Sequence, residues 1–567
     1  MKRLILFIIV LVPIFLSAQT PTFEWAKQIG GIASDVGVSI LADQDGNVYT
    51  TGTFSNTVDF DPGIGVFNLS ATAGGIFISK LDVSGNFVWA KQIAAGAVGY
   101  AVNCISLDLN RNIYIIGSFS GSADFDPGSG IYNLTSSGSD DIFISKLDSL
   151  GNFVWAIQMG GSSDDKGMSI KVDAFGNVYS LGLFKGTSDF DPGAGVFSLL
   201  SSGINDVFIS KINSSGGFVW AKKMGGALDD YGSSIGLDVL GNIYVTGFFK
   251  GVSDFDPSVV VFNLSSSGSS DVFVAKLDSL GNLLWAKSIG GSSSDFGNSI
   301  SIDGSSNVFL TGRFYSYSDF DPGAGVYALS PIGTGDIFIS KLDASGNFVW
   351  ARSMGSSSYL CGGNSIFADS SGNVYTAGFY EGTVDFDPGV GVFNLSFTYG
   401  AGGPGTTIYP DIFILKLNTL GDFDWAVGMG GTGVDYPFAI VVNKMNDVYT
   451  TGVFNNTVDF NPTGVAYNLS AASSQDIFIH KLNQLPVGII EYNTNNNSIS
   501  LFPSPTSNNL TIETTKPTNI SIVNLLGQEF FNSKINRTET IDVSFLSNGI
   551  YFVKDIQNGG SVKFVKQ

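Results

Sequence analysis

Apolar and polar residues alternate along short segments of this chain, and turns containing glycine separate the segments. Residues 168–224 show the pattern: the segments MSIKVD, VYSLGLF, DVFISKIN and FVWAKKM are rich in Val, Ile and Phe. The short turns AFGN and SSGG join the first segment to the second and the third to the fourth, and a long excursion, KGTSDFDPGAGVFSLLSSGIN, joins the second to the third. This pattern predicts four antiparallel β-strands, and helical periodicity is absent.

The four-strand pattern repeats, and tryptophan marks its period. All seven tryptophans stand in one phrase of the type FVWAKQIGG, at Trp25, Trp89, Trp155, Trp220, Trp285, Trp350 and Trp425. Their spacings are 64, 66, 65, 65, 65 and 75 residues, and the insertion FTYGAGGPGTTIYP at 397–410 explains the last. Seven units of about 65 residues with four strands each predict a seven-bladed β-propeller over residues 19–483.

The ends of the repeat predict that the propeller closes on itself. The chain enters the array at a fourth strand, Phe23–Ile29, and leaves it after a third strand at 476–483. The two ends together complete one unit, and a ring closed in this way leaves no open sheet edge.

One phrase of the repeat carries a resemblance to a known family. It has the form D-x-x-G-N-x-Y-x-x-G and stands as DQDGNVYTTG (43–52), DAFGNVYSLG (173–182) and DVLGNIYVTG (238–247). In these residues the chain resembles bacterial β-propeller repeat proteins. The likeness implies the fold and leaves the function open, because propellers host binders, scaffolds and enzymes alike.

The two ends of the chain indicate export. Residues 1–18 combine Lys2 and Arg3, an apolar run from Leu4 to Leu16 and a small-residue site at Ala18, which is typical of a cleaved signal peptide. The apolar run is too short to span a membrane, so no transmembrane segment is expected in the mature chain. After the repeat, the Asn-rich residues 484–498 are interpreted as a linker and residues 499–567 as a small β-sandwich.

Four motifs in residues 499–567 resemble the C-terminal sorting domain of the type IX secretion system of Bacteroidetes. They are P-x-P-x(5)-L-x-I, N-L-L-G-Q, G-I-Y-F-V and the terminal K-F-V-K, and their marker residues are Pro503, Pro505, Gly527, Gly549, Tyr551, Lys563 and Lys566. Ser504 stands where Asn is commoner in the family. The resemblance implies transport by the type IX machinery, removal of this domain, and display on or release from the cell surface. The alternative is an ordinary C-terminal β-domain that binds a partner, and the four motifs in order favour the sorting domain.

Composition narrows the classes of partner and chemistry. Lys and Arg number 28 against 49 Asp and Glu, a net charge of −21, which argues against nucleic acid and acidic membranes as partners. Cys104 and Cys361 fall in units that are not adjacent, so two unpaired thiols are expected. With one histidine, His480, there is no zinc or thiol site, and no catalytic residue is assigned.

An acidic turn recurs in every unit and is the main candidate site. Its core is D-F-D-P, with D-F-N-P in the seventh copy, and its carboxylates are Asp59, Asp61, Asp124, Asp126, Asp189, Asp191, Asp254, Asp256, Asp319, Asp321, Asp385 and Asp387. One hypothesis is calcium, the only cofactor that the sequence suggests, because paired carboxylates beside a glycine-rich turn offer oxygen ligands. The alternative is turn chemistry, in which Asp accepts backbone N–H bonds and Pro-Gly sets the turn. Asn461 and the repetition itself favour the alternative.

Other repeated residues receive structural interpretations. The tryptophans are expected to be core wedges between units, and the Lys that ends each third strand is expected to form an ion pair. The loops at one end carry further carboxylates beside the D-F-D-P turns and predict an acidic face; these are Asp35, Asp164, Asp165, Asp229, Asp230, Asp295 and Asp435. The insertion at 397–410 enlarges one loop of that face.

The combined features favour a secreted or surface-displayed propeller that acts as a binding or structural module for a glycan or a surface protein. The alternatives are a carbohydrate-active enzyme with acids at the channel mouth and a calcium-stabilised adhesin. Near-identical units favour binding, because an enzyme needs one unique constellation of residues.

Overall fold

The computed structural model describes residues 20–94, 99–398, 409–484, 499–503, 506–524, 528–555 and 561–566. These residues form strands, turns and loops, with no helix among them. The signal peptide and most of the linker that the sequence predicts lie outside the described residues. The chain divides into two compact units, with the boundary after Gln484.

The N-terminal unit is built from short strands. In chain order they begin with β1 (Thr22–Ile29), β2 (Val36–Ala42), β3 (Val48–Asp59), β4 (Asn68–Leu81), β5 (Phe87–Ile93), β6 (Gly99–Leu107), β7 (Ile113–Ser120), β8 (Ser122–Asp124), β9 (Asn133–Thr135), β10 (Asp141–Leu147), β11 (Phe153–Gly161), β12 (Lys166–Val172), β13 (Val178–Phe184), β14 (Thr187–Asp189), β15 (Ser198–Leu200), β16 (Asp206–Ile212), β17 (Phe218–Gly226), β18 (Asp230–Leu237) and β19 (Ile243–Phe249). They continue with β20 (Val252–Asp254), β21 (Asn263–Ser265), β22 (Asp271–Leu277), β23 (Leu283–Gly291), β24 (Asp295–Ile302), β25 (Val308–Phe314), β26 (Ser318–Asp319), β27 (Ala328–Leu329), β28 (Asp336–Leu342), β29 (Phe348–Met354), β30 (Gly362–Ala368), β31 (Val374–Tyr380), β32 (Thr383–Asp385), β33 (Asn394–Ser396), β34 (Asp411–Leu417), β35 (Phe423–Gly431), β36 (Tyr436–Val442), β37 (Val448–Asp459) and β38 (Asn468–Asn483).

One antiparallel order of strands recurs along the chain. In residues 166–226 it is β12–β13–β16–β17, with the hairpin β14–β15 inside the excursion. The same order holds for β2–β3–β4–β5, β6–β7–β10–β11, β18–β19–β22–β23, β24–β25–β28–β29 and β30–β31–β34–β35. The last group, β36–β37–β38, pairs with the N-terminal β1, where Ala26 lies opposite His480. The four strands predicted for each unit are therefore present.

Apolar cores lie between consecutive groups of strands. One cluster joins Tyr114, Ile142 and Met159 of one group to Phe184 and Phe208 of the next. A similar cluster joins Val441, Tyr449 and Ile477 of the last group to residues of the first, such as Ile40 and Phe54. The first strands also contact one another in chain order, and β36 contacts β2.

The tryptophans lie at the junctions between these groups. Trp155 Nε1 donates to the Ser214 carbonyl of the next group at 3.2 Å, and its ring meets Tyr114 edge to face at 6.0 Å. Trp285 and Trp350 donate in the same way to the carbonyls of Ala344 and Thr419. The tryptophans pack at the junctions as expected, although only Trp25, Trp350 and Trp425 are buried and the other four are partly exposed.

The glycine of the Y-x-x-G phrase is required by a close approach of two strands. A Cβ atom built on Gly182 would lie 1.9 Å from the Lys166 carbonyl oxygen, because β12 carries a β-bulge beside it. No side chain fits there without displacing the neighbouring strand.

The C-terminal unit is a separate all-β body. Its strands are β39 (Ile499–Phe502), β40 (Asn509–Thr514), β41 (Thr518–Asn524), β42 (Glu529–Ile535), β43 (Thr538–Asp542), β44 (Gly549–Asp555) and β45 (Ser561–Lys566). They form a three-stranded sheet, β39–β40–β43, and a four-stranded sheet, β42–β41–β44–β45. Leu510 and Ile512 of the first sheet share a buried core with Ile522, Val553 and Phe564 of the second, as in a sandwich.

Candidate functional site

The carboxylates of the D-F-D-P turns hold the excursion closed through its own backbone. Asp189 Oδ1 accepts hydrogen bonds from the backbone N–H groups of Asp191, at 3.0 Å, and Phe197, at 2.8 Å. Asp191 Oδ1 accepts from the Gly193 N–H at 2.8 Å. Equivalent bonds recur in the other copies, at Asp59, Asp61, Asp124, Asp126, Asp254, Asp256, Asp319, Asp321, Asp385, Asp387, Asp459 and Asn461.

The excursion also joins one strand group to the one before it. Asp189 and Ser188 of β14 pair with Gly160 and Gly161, which end the fourth strand β11 of the preceding group. The same pairing occurs for β20 with β17, β26 with β23 and β37 with β35, and as a bridge between Asp59 and Gly30. The acidic turn is therefore part of a clasp across the junction.

The phenylalanine inside the motif anchors this clasp. Phe190 is fully buried, meets the ring of Phe184 edge to face at 5.4 Å, and lies 5.0 Å from the ring of Phe208. The corresponding Phe60, Phe125, Phe255, Phe320, Phe386 and Phe460 are also buried. Sequence reasoning weighed the two Asp residues and missed the Phe between them, although it recurs in all seven copies.

The structure favours turn chemistry over calcium at these carboxylates, while the calcium hypothesis stays a prediction. Within the described residues, no group of three or more His, Cys, Asp or Glu side chains is placed to hold a metal. In the seventh copy Asn461 forms the same turn, because its Oδ1 accepts from Thr463 N–H and its Nδ2 donates to the Val465 carbonyl. A carboxylate is therefore not required for the turn to form.

Asp191→Asn is expected to leave the free energy of unfolding within about 0.5 kcal/mol of that of the unchanged protein, in calcium and in EDTA. Asn retains the acceptor that Gly193 uses, as Asn461 does naturally. Asp189→Ala is the contrasting variant: it leaves two backbone N–H groups without their acceptor and is expected to cost roughly 1–3 kcal/mol. Thermal melting in both buffers measures this. A calcium-dependent stabilisation that Asp191→Asn removes would support a metal in the turn instead.

Neighbouring excursions enclose a groove. A cavity of about 300 Å³ is lined by Tyr132 and Leu134 of one excursion, by Gln158 of the fourth strand β11, and by Asp189 and Asp191 of the next excursion. The Tyr132 side chain is 41% exposed, and its ring packs on Phe153 at 4.8 Å. The groove thus presents an aromatic ring, a side-chain amide and carboxylates to solvent, and it contains two of the predicted site residues.

Two further cavities lie along the first strands. One, of about 460 Å³, is lined by small polar residues of six groups: Ser39, Cys104, Ser169, Ser234, Ser299 and Ser365. Each of the five Ser hydroxyls accepts a hydrogen bond from a backbone N–H of the next group, as Ser169 does from Ile235 at 3.3 Å. The other cavity, of about 340 Å³, lies where the first strands β2, β6 and β12 end, and it is lined by Asp43, Asp108, Asp173 and Arg111.

The prediction of an acidic face is wrong for five of its seven loop carboxylates, while Asp164 is exposed and Asp229 is partly exposed. Asp35, Asp165, Asp230, Asp295 and Asp435 are at most 1% exposed. Their oxygens accept hydrogen bonds instead: Asp165 accepts from the N–H groups of Gly161 and Lys185 and from the Ser188 hydroxyl. These side chains turn inward because the excursion and the fourth strand both supply donors at the junction.

Each of these buried carboxyls faces a second one. Asp165 lies beside Asp141, which begins the third strand β10, and a Cβ atom on Gly160 would lie 2.7 Å from Asp141 Oδ1 and 3.0 Å from Asp165 Oδ2. Asp141 Oδ1 is buried without a hydrogen-bond partner, while its Oδ2 accepts from Ser137 and Gln158. The pairs are Asp35–Asp476, Asp165–Asp141, Asp230–Asp206, Asp295–Asp271 and Asp435–Asp411.

Burial shifts the titration of these pairs. Desolvation raises the pKa of Asp35, Asp165, Asp230 and Asp295 to about 6. It raises the pKa of Asp435 to about 7 and that of Asp411 to about 8. Buried paired carboxyls of this kind favour retention of a proton, because two neighbouring charges away from water repel each other.

The carboxyl pair is missing from two of the seven junctions. At the junction of the first two groups, the sequence has Gly75 and Tyr100 at the corresponding positions. At one junction the thiol of Cys361 takes the place of one carboxyl, beside Asp336, and burial raises its pKa to about 12. The sequence signal for these pairs is the Asp that begins nearly every third strand.

The remaining repeated residues differ partly from expectation. The Lys that ends each third strand lies over an aromatic ring of the adjacent strand, at 4.7–5.5 Å from the ring centroid. Ion pairs within 4.0 Å accompany this contact for Lys276, Lys416 and Lys481. The interaction common to the set is therefore cation–π, because the strand register places Tyr or Phe opposite each Lys.

The single histidine and the two cysteines lie within the repeat. His480 is fully buried, burial lowers its pKa to about 3, and its Nε2 bonds to the Phe460 carbonyl at 3.1 Å. Cys104 and Cys361 are free thiols. Residues 399–408 of the insertion lie outside the described residues.

Four residues of the sorting motif lie in the last two strands, namely Gly549, Tyr551, Lys563 and Lys566. Tyr551 of β44 is buried, its hydroxyl donates to the Ser547 carbonyl at 3.1 Å, and its ring stacks on Phe564 at 5.8 Å. Gly549 pairs with Lys566 and Phe552 with Lys563. Pro503 follows β39, and Pro505 and Gly527 lie outside the described residues. Across the described part of the chain, no helix is long and apolar enough to cross a membrane.

Two family models match the chain. The model for the secretion system C-terminal sorting domain matches residues 500–567. The model for the β-propeller repeat matches residues 24–53, 219–247 and 284–320. Sorting domains of this type direct a protein through the type IX secretion system, so the protein is exported to the cell surface or the extracellular space.

The similar proteins are more distant. An uncharacterized WD repeat-containing protein of Acanthamoeba polyphaga mimivirus is 24% identical over 519 residues, which cover 76% of this chain and 36% of that protein. The regulatory protein FlaEY of Caulobacter vibrioides is 25% identical over 172 residues, 30% of this chain and 18% of that protein. The chain thus spans about a third or less of the length of these relatives.

Solved structures give a weaker likeness. A protein of unknown function from Bacteroides caccae covers 62% of this chain and 89% of its own, at 10% identity and a TM-score of 0.28. The extracellular domain of a one-component system from B. thetaiotaomicron covers 96% and 98%, at 10% identity and a TM-score of 0.16. At such scores neither bears on function. The strand pattern and the two family models together show that this is an all-β, exported protein of β-propeller repeats with a C-terminal secretion sorting domain.

Proposed function

We propose that the protein is a closed seven-bladed propeller that acts outside the cell as a binding module for a glycan or a surface protein. The pairing of β1 with β38, the contact of β36 with β2 and the core shared by the last and first groups support closure. The domain boundaries follow the sequence: residues 1–18 form the signal peptide, 19–483 the propeller, 484–498 the linker and 499–567 the sorting domain.

The groove between neighbouring excursions carries the proposal. It combines an exposed aromatic ring, Tyr132, with the amide of Gln158 and the carboxylates of Asp189 and Asp191. A concave site with an apolar face and a few convergent polar groups is typical of small-ligand binding. An aromatic residue recurs at the Tyr132 position of every excursion: Phe67, Tyr132, Phe197, Phe262, Tyr327, Phe393 and Tyr467.

Repetition favours binding over catalysis. The groove carboxylates accept hydrogen bonds from the excursion backbone, and the same arrangement recurs in each copy. Several weak sites on one rigid body give a polymeric or surface-fixed ligand an avidity that a single site lacks.

Binding of the purified full chain to a broad glycan array, in calcium and in EDTA, tests the proposal. We expect reproducible glycan binding that Tyr132→Ala weakens several-fold. Phe175→Ala is the control, since that ring is 86% exposed on a turn at the other end of the strands. A blank array in both buffers would contradict a glycan ligand, and binding unaffected by Tyr132→Ala would contradict the groove.

Removal of residues 500–567 is expected to abolish export across the outer membrane while the repeat remains folded. The two units have separate cores, and the sorting model covers only the second. Fractionation of cells that express the full or shortened chain, with thermal melting of the retained protein, measures this. Surface display of the shortened chain would show that the signal lies elsewhere.

A further inference from the structure

One register position distinguishes some strand groups from others. At this position, a residue near the start of the first strand of each group lies opposite a residue near the end of the second strand, just before the excursion. The pairs are Val36–Thr53, Ala101–Ser118, Lys166–Leu183, Tyr231–Phe248, Phe296–Arg313, Gly362–Phe379 and Tyr436–Val453. Aromatic residues occupy this position only from Tyr231 onward, so the repeat is asymmetric here.

These side chains form one continuous aromatic cluster. Tyr231 stacks on Phe248 at 5.2 Å, and Phe248 meets Phe296 edge to face at 5.0 Å. Phe379 meets Tyr436 at 4.9 Å. Arg313 links the two halves, because its guanidinium carbon lies 6.0 Å from the Phe296 centroid and 5.8 Å from that of Phe379. We name the six residues, Tyr231, Phe248, Phe296, Arg313, Phe379 and Tyr436, the aromatic collar.

Arg313 has no acidic partner. None of the ion pairs within 4.0 Å among the described residues includes it, and its Nε is buried without a hydrogen-bond partner. Its side chain crosses Gly362, where a Cβ atom would lie 2.7 Å from Arg313 Cδ. The chain carries 49 acidic residues against 28 basic ones, so an arginine held between rings, with no ion pair within 4.0 Å among the described residues, leaves its charge for a ligand.

We propose that the aromatic collar binds a sugar residue that carries a single carboxylate, within an otherwise neutral glycan. The carboxylate accepts from the Arg313 guanidinium, which matches carboxylate geometry, and the sugar ring lies on the half-buried rings of Tyr231, Phe296 or Tyr436. This proposal rests on the proposed glycan-binding function. It adds a second binding site, apart from the groove, and specifies the class of glycan that this site binds.

The charge distribution of the protein favours a ligand with one acid group over a ligand with many. Arg313 is a lone cation of the collar in a chain of net charge −21, and Lys166, the other cation at this register position, lies two groups away. A polyanion would gain one favourable contact and meet repulsion from the rest of the surface. A neutral chain that ends in a uronic acid gains the contact and avoids the repulsion.

The test compares two probes on the full chain by calorimetry: a neutral oligosaccharide that ends in glucuronic acid and the same oligosaccharide that ends in glucose. We expect the acid to bind at least about tenfold more tightly, the difference to shrink at high salt, and Arg313→Gln to abolish it. Arg111→Gln is the matched control, because this substitution also removes one positive charge. Arg111 lies at the opposite end of the strands, beside Asp45.

Each outcome decides the proposal. Equal affinity for the two probes, or an acid preference that survives Arg313→Gln, overturns it. If Arg313→Gln does not fold, Arg313→Lys and the comparison of the two probes on the unchanged protein decide instead, since Lys keeps the charge and loses the forked geometry. Array binding to neutral glycans that depends on Tyr132 and ignores Arg313 would leave the proposed function standing and remove the collar alone.

Discussion

Lowering the pH from about 8 to about 4.5 is expected to raise the melting temperature of the protein, whereas acid destabilises most folded proteins. Burial raises the pKa of Asp35, Asp165, Asp230 and Asp295 from 3.8 to about 6. Between these values the folded state binds more protons than the unfolded state, so the free energy of unfolding falls as the pH rises. The stabilisation is complete below about pH 4 and is lost as the pH rises through about 6, and through 7 to 8 for Asp435 and Asp411.

The expected size is large because the pairs repeat. One pKa unit corresponds to about 1.4 kcal/mol, so each of the four carboxyls contributes on the order of 2–3 kcal/mol over this window. Exposed carboxyls set the pH below which the melting temperature stops rising. Burial alone would raise the pKa of Asp148, but the hydrogen bonds from Asn152 and Leu150 hold it below its usual value, and stability that depends on its charge is lost in stronger acid. A stability maximum near pH 4 to 5 follows.

Asp141→Asn isolates the contribution of the Asp141–Asp165 pair to the dependence of stability on pH. The amide can place its N–H₂ where Oδ1 has no partner, facing Asp165, so the variant is expected to be more stable than the unchanged protein at about pH 8 and equal to it at about pH 4.5. Asp164→Asn, at an exposed neighbouring position, is the control. Melting curves at a series of pH values measure both variants. A steady loss of stability from pH 8 downward would contradict the prediction.

Phe190→Ala is expected to destabilise the protein by roughly 3–5 kcal/mol, the usual cost of removing a fully buried phenylalanine. The side chain fills the space between Phe184 and Phe208, and the clasp to Gly160 and Gly161 depends on its position. The change therefore removes packing from the junction of two strand groups.

Val196→Ala in the same excursion is the matched control. Val196 is 76% exposed, so its truncation is expected to change the free energy of unfolding by no more than about 0.5 kcal/mol. Urea denaturation followed by tryptophan fluorescence measures both, since Trp155 and Trp220 lie in the two groups that meet at this junction. Equal effects of the two variants would show that the excursion does not anchor the junction.

The strand architecture could be predicted because each strand carries its own signal. Segments such as VYSLGLF and FVWAKKM combine alternation, β-branched residues and flanking glycine turns, and they form β13 and β17 within a residue or two. The tryptophan phrase gave the period and the junction contacts. Local signals of this kind depend on a residue and its near neighbours in the chain, which the sequence displays directly.

The positions of the carboxylates could not be predicted in the same way. Asp165 and Asp191 look alike in the sequence, since both stand in glycine-rich loops. Asp165 is buried because its donors come from Gly161, Lys185 and Ser188 at a junction of two groups, whereas Asp191 bonds only within its own turn. The aromatic collar escaped sequence reasoning for the same reason, because its contacts between groups join residues 48 to 66 positions apart, which meet only when the strand groups lie side by side.

An exported protein lives among proteases, and its longest loops are the usual places of cleavage. Each excursion here is closed by an Asp carboxylate and anchored by a buried Phe, and five of the seven also pair with the preceding group of strands. A protease needs a stretch of unfolded backbone to enter its active site, so cutting an excursion requires that the junction open first. The loops that would otherwise be weak points should therefore be cut only as fast as neighbouring strand groups separate, and digestion rates should follow the strength of the junctions rather than the exposure of the loops.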